Sequence, residues 1–109
     1  VESREFRLKI LAEDFRAAGT AVLDSLAEYA KEQPGWSIAP DNCEGVRVNL
    51  DKAHGDGWFL LRLSLHDPIL PLNIESDREH GARTIARELA PFLAQQVNID
   101  ASSALEFTL

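Results

Sequence analysis

A chain of 109 residues has room for one hydrophobic core and no more, and 45% hydrophobic with 27% charged residues excludes intrinsic disorder. Against 18 Asp and Glu stand only 11 Lys and Arg, a net charge of -7, so general nucleic-acid or anionic-membrane binding, which needs a basic face, is not expected. The single cysteine, Cys43, excludes an internal disulfide and a thiolate-rich zinc site; with no bilayer-length apolar run and no signal pattern, the expected compartment is the cytoplasm.

Phe6, Leu8 and Ile10 alternate with Arg7 and Lys9, the period-two pattern of a half-buried strand. The period then changes. Phe15, Ala18, Val22, Leu26 and Tyr29 share one helical face, widened by Leu23 and Ala30, with Asp14 as the cap and Pro34-Gly35 as the stop. Gly19 falls on the apolar side of this helix, where close packing against a sheet is its expected role. Trp36 to Glu44 reads as a polar connector. Val46, Val48 and Leu50 alternate with Arg47 and Asn49 as a second strand, His54 to Gly57 is a turn, and Trp58 to Leu63 is a third strand.

Ser64 to Pro68 reads as a loop, and Leu70, Leu72 and Ile74 mark a fourth strand. Pro71 cannot donate a ladder hydrogen bond, which predicts an edge position or a local irregularity. Ser76 and Glu79 form a capping box for a last helix, whose buried stripe is Ala82, Ile85, Leu89, Phe92 and Leu93. Pro91 is expected to bend this helix or end its regular part. Residues 98–109 alternate weakly at Leu105, Phe107 and Leu109, as an extra strand or as disorder. The resulting expectation is an α+β domain over residues 1–97, strand-helix-strand-strand-strand-helix. Its two helices cover one face of a small, mainly antiparallel, four-stranded sheet. The other face is left to solvent or to a neighbouring domain.

Little in this chain carries chemistry. His54, His66 and His80 share no ligand spacing with one another or with Cys43, so no metal site is expected. Cys43 has no adjacent base, and no carboxylate pair has a spacing that singles out acid–base work. Gly45, Gly55 and Gly57 do not form a phosphate loop followed by a helix. No catalytic residue is therefore assigned. The remaining candidate is Arg62-Leu63-Ser64-Leu65-His66-Asp67-Pro68. If Phe59, Leu61 and Leu63 face one way, Arg62 and Ser64 project together from the other face. Their guanidinium and hydroxyl, with the turn amides of Leu65 and His66, can converge on one tetrahedral anion. The plain alternative is an arginine on an exposed strand face beside an ordinary turn.

The stretch from Glu44-Gly45-Val46-Arg47-Val48 through Trp58-Phe59-Leu60-Leu61-Arg62 to Pro68 resembles the C-terminal domain of α-D-phosphohexomutases, the phosphomannomutase and phosphoglucomutase family. The following strand and helix, Ile69 to Leu93, and the preceding strand and helix also fit that domain, so the resemblance covers nearly the whole chain. It implies a TATA-binding-protein-like α+β fold. It also implies a mobile loop that clamps the phosphate of a phosphosugar substrate, the phosphate that is not being transferred. The family's loop arginine falls on Arg62, its serine on Ser64, its small residue on Leu65, its threonine on His66, its acid on Asp67 and its proline on Pro68. Leu65 departs from the usual Gly or Asn; a leucine forced into left-handed backbone geometry costs roughly 1–2 kcal/mol.

In such enzymes the phosphoserine, the Mg2+ site and the sugar-reading residues lie in upstream domains of the same chain. This chain therefore carries no cofactor of its own and is not expected to catalyse alone. The absence of methionine, even at position 1, fits a domain cut from a longer protein or a processed start. The competing reading is a stand-alone α+β protein-interaction or regulatory module.

Overall fold

The computed structural model describes residues 1–40 and 45–109. Cys43 and Glu44, the first residue of the family-like stretch, lie outside the described residues. The fold is α+β, built on one antiparallel sheet. The strands are β1 (Glu2–Ile10), β2 (Trp36–Ile38), β3 (Gly45–Leu50), β4 (Gly57–Arg62), β5 (Ile69–Ser76) and β6 (Ile99–Asp100), and the helices are α1 (Phe15–Lys31), α2 (Gly81–Ala94) and α3 (Ser102–Phe107). The spatial order of the strands is β2-β3-β4-β5-β1-β6, and every neighbouring pair is antiparallel.

The first strand and helix form where the alternation and the helical stripe place them. Asp14 caps α1, its carboxylate accepting the Ala17 amide at 3.1 Å. Gly35 takes φ +80 just beyond the helix, a conformation open to glycine. Gly19 is buried, and a methyl group there would come 2.7 Å from Leu63 Cδ1 and 3.2 Å from Ile10 Cδ1. Its role is close packing, as expected.

Leu8, Val48, Phe59, Leu61, Leu70 and Leu72 are fully buried on the side that meets α1 and α2. Ala82, Ile85, Leu89, Phe92 and Leu93 of α2 close over them. Tyr29 of α1 joins the two helices, its ring 5.3 Å from Phe92 and 5.7 Å from Trp36. The opposite face carries Arg7, Arg47, Trp58, Leu60, Arg62, Pro71 and Asn73, and among the described residues no helix lies over it.

Several expectations need correction. Among the described residues the sheet has six strands and there are three α-helices, where four and two were expected. Trp36–Ile38, read as connector, is an edge strand. Burial explains it, because Trp36 packs edge-on to Phe59 at 5.3 Å and its indole N–H donates to Glu88 of α2 at 3.0 Å. Residues 98–109 supply β6, which pairs with β1, and α3, whose Phe107 ring lies 5.5 Å from Phe6. Ile99, Ala101 and Ala104 are buried there.

Pro71 is not in an edge strand, since β5 pairs with both β1 and β4. The register opposes Leu72 to Leu61, and the Ser64 amide still donates to the Ile69 carbonyl at 3.0 Å. Pro71 therefore stands opposite Arg62, where it cannot donate to the Arg62 carbonyl. The described β4–β5 pairing stops one residue earlier. The missing donor falls where the ladder ends and the loop begins, so its cost is confined to one bond.

The capping box does not form. Ser76 belongs to β5, and its hydroxyl donates to the Gly55 carbonyl at 2.5 Å and accepts the Arg78 amide at 3.1 Å. Helix α2 starts only at Gly81, after His80 in left-handed geometry. The carboxylate of Glu2, at the start of β1, instead accepts the His80 and Ala82 amides at 2.8 and 3.2 Å. Helix α2 runs through the exposed Pro91 to Ala94. The apolar stripe on its other side holds it to the sheet across the missing hydrogen bond.

Candidate functional site

The candidate loop begins where β4 leaves its partners. Leu61 is buried under the helices, and Leu63 turns to the same side and packs over Gly19. The strand alternation then sends Arg62 and Ser64 to the uncovered face. Extended through the Ser64–Ile69 bond, the register puts Arg62 and Ser64 on one face at one end of the sheet.

Four backbone and side-chain contacts shape the loop. The Ser64 amide donates to Ile69, the Ile69 amide to the Asp67 carbonyl at 2.7 Å, and the Ile10 amide to the Pro68 carbonyl at 2.8 Å. From α1, Arg16 donates to the Leu65 carbonyl at 2.6 Å. The only non-glycine residues with positive φ among the described residues are Asp56 and His80. Leu65 therefore closes the loop without left-handed strain, and the penalty expected for a leucine there does not arise. Its side chain is 71% exposed. Among the described residues, the amides of Leu65 and His66 donate to no protein acceptor, and the exposed His66 ring makes no hydrogen bond.

The register adds two cations that the sequence did not connect with this loop. Pro71 opposes Arg62 on one side and Arg7 of β1 on the other. Ile69 likewise stands between Ser64 and Lys9. Arg7, Lys9, Arg62 and Ser64 therefore occupy two adjacent rows at one end of the uncovered face. The alternation of Arg7 and Lys9 with Leu8 and Ile10 signalled which face they take. Only the β1–β5 pairing shows that it is the same end. Lys9 lies beside Asp100, whose carboxyl is held below its ordinary range, first by the Ser102 amide and also by the Lys9 charge. Arg47, on the same face, is engaged with Trp58, its guanidinium 4.2 Å from the ring centroid.

The other polar cluster is of a different kind. Asp51 and His54 approach to 2.5 Å, which raises the imidazole pKa and lowers that of the carboxyl. Such a pair can orient a base, but no hydroxyl or thiol among the described residues hydrogen-bonds the ring. Among the described residues no three His, Cys, Asp or Glu side chains are grouped to hold a metal ion. A groove of about 360 Å³ lies between α1 and β3, lined by Thr20, Leu23, Asp24, Ala27, Val46 and Leu63 among others. It is on the helix side, apolar with one carboxylate, and suits no anion. Among the described residues no helix is long and apolar enough to cross a membrane.

The arrangement at the loop can therefore hold an oxyanion by a guanidinium, a hydroxyl and two amides. Among the described residues no base hydrogen-bonds the Ser64 hydroxyl, so what the arrangement offers is a set of donors for an anion. The sequence matches no protein-family model and no curated protein.

Proposed function

We propose that this chain is the C-terminal, substrate-phosphate-binding domain of a cytoplasmic phosphohexomutase that interconverts hexose 1-phosphates and hexose 6-phosphates. One observation carries the reading: Arg62 and Ser64 share the uncovered face at the end of β4, beside a loop with two amides that have no partner among the described residues. The α+β order and the family-like stretch around Arg62 support it. Unstrained closure at Leu65 removes the main objection raised by that departure from the family pattern.

In this reading the domain acts by position. Arg62 supplies a planar, permanently charged fork for two phosphate oxygens, and Ser64 and the loop amides supply neutral donors around the same anion. Holding the non-reacting phosphate orients the sugar and helps to close the cleft against water. The nucleophilic serine and the Mg2+ belong to upstream domains, and no step of the phosphoryl transfer is assigned to residues of this chain. The test is the reading frame that encodes Val1. Upstream domains with a serine loop and an aspartate-rich metal loop support the proposal, and a frame of about this length alone defeats it.

A second reading is favoured by a different observation. Leu11, Leu65 and Val97 are 63%, 71% and 85% exposed. Backbone bonds from Ile10 to Pro68 and from Leu11 to Asn98 place them around the same end of the sheet. An apolar rim of this kind fits a protein-interaction module, and in the mutase reading it faces the upstream domains instead.

A further inference from the structure

We propose that Arg7 is a second arm of the anion site, which makes the site selective for phosphate dianions over singly charged phosphate diesters. This rests on the reading of Arg62 given above. The inference comes from the register. Arg62 of β4 and Arg7 of β1 stand on either side of Pro71, in one row across three strands. Neighbouring strands lie about 4.8 Å apart, so the two Cα atoms are separated by about 10 Å, a gap two extended arginine side chains close from opposite ends. Pro71 between them is buried, although it lies on the face that no helix covers.

Neither guanidinium is committed to another group among the described residues. Among the described residues, Arg7 and Arg62 donate no hydrogen bond, and no carboxylate lies within 4.0 Å of either. The contrast with the other arginines is direct. Arg4 and Arg83 lie over the Phe107 ring, Arg16 donates to the loop, Arg78 and Arg87 donate to backbone carbonyls, and Arg47 is stacked on Trp58. Glu5 is the nearest acid along β1 on this face, one row away and opposite Asn73. On a chain of net charge -7, two arginines in one row, neither engaged among the described residues, offer paired charges at short range, where attraction over longer distances is absent.

A monoester phosphate at pH 8 is a dianion with three terminal oxygens, enough for one fork from each side. A diester presents two oxygens and one charge, and engages a single fork fully.

The experiment follows the Leu65 and His66 amides of the isotope-labelled chain by NMR. Inorganic phosphate or dimethyl phosphate is titrated at pH 8 and constant ionic strength. The wild-type chain is expected to bind inorganic phosphate roughly tenfold or more tightly than dimethyl phosphate. Arg7→Ala is expected to weaken inorganic phosphate roughly tenfold and dimethyl phosphate by less than about threefold. Arg7→Lys should fall between, because the ammonium keeps charge without the fork. Arg7→Gln keeps a polar stem over Pro71, so loss of selectivity in a folded Arg7→Gln chain separates recognition from packing. If Arg62→Ala abolishes binding while Arg7→Ala leaves both affinities within about twofold, Arg7 plays no part and the Arg62 reading stands. Equal weakening of both anions by Arg7→Ala also overturns the inference. If phosphate moves neither amide, or Arg62→Ala is without effect, the phosphate site itself fails and Arg7 with it.

Discussion

Leu89 is fully buried at the centre of α2, between Ile85 and Phe92 on the stripe that faces the sheet. Leu89→Ala removes three carbons from this position. At about 0.8 kcal/mol per buried methylene, the lost transfer free energy alone is about 2.4 kcal/mol. The cavity left behind adds to it, because β4, β5 and β1 pack against α2 and cannot all move in. The expected destabilisation is therefore about 3–4 kcal/mol, within the usual range of roughly 2–5 for buried leucines. For a domain of this size each kcal/mol lowers Tm by about 4 °C, so the variant should melt at least about 12 °C below the wild type. Urea unfolding with unchanged m-value measures the same difference. Glu79→Ala, an exposed change just before the same helix, is the control and should stay within about 0.5 kcal/mol. A loss below about 0.5 kcal/mol for Leu89→Ala would refute the packing of α2 on the sheet.

The Glu2 cap predicts that Glu2→Gln lowers Tm at neutral pH. The folded-state pKa of Glu2 is depressed, chiefly by the His80 amide, so its contribution is present above pH 4.5 and lost as pH falls through the lower folded value; a Glu2→Gln chain with unchanged Tm would remove this cap from the account. His54 shows the opposite sign. Its folded pKa is raised, first by the hydrogen bond to Asp51, so its contribution is complete below pH 6.5 and disappears as pH rises through the raised value. Thermal melts of His54→Ala should show a flatter dependence above pH 6.5, and a curve parallel to wild type would contradict the pair. Finally, the 109-residue chain is expected to have no mutase activity on glucose or mannose phosphates with or without Mg2+, and turnover by a clean preparation would overturn the domain reading.

Local patterns in the sequence were enough for α1, β3, β4 and the loop after Arg62, because each is set by short-range periodicity or a nearby cap. Where a long-range partner competed with a local motif, the local motif lost. Ser76 and Glu79 have capping-box spacing, yet Ser76 is claimed by the Gly55 carbonyl and the helix cap comes from Glu2. Trp36 looked like connector because three residues carry no periodicity, and only its burial against Phe59 reveals a strand. Proline's rule applies to whole strands, whereas the cost at Pro71 depends on which single carbonyl loses its donor. The candidate site divides in the same way. Arg62 and Ser64 were visible from alternation within one strand. Arg7 and Lys9 reach the same place through pairing between segments some sixty residues apart, and Arg16 through a contact from α1 to the Leu65 carbonyl.

In the proposed phosphohexomutase reading Arg62 grips a substrate phosphate, and steady-state kinetics of the protein that contains this domain test it most directly. Arg62→Ala should lower kcat/KM for hexose phosphate roughly tenfold to a hundredfold, the worth of a charge-assisted contact of about 1.5–3 kcal/mol. Arg62→Lys should recover part of that loss. Both variants should stay folded, because the Arg62 side chain lies on the face that no helix covers. Wild-type kcat/KM in folded Arg62→Ala enzyme, or a variant that unfolds while its remaining folded fraction keeps wild-type kinetics, would show that Arg62 does not hold the substrate phosphate.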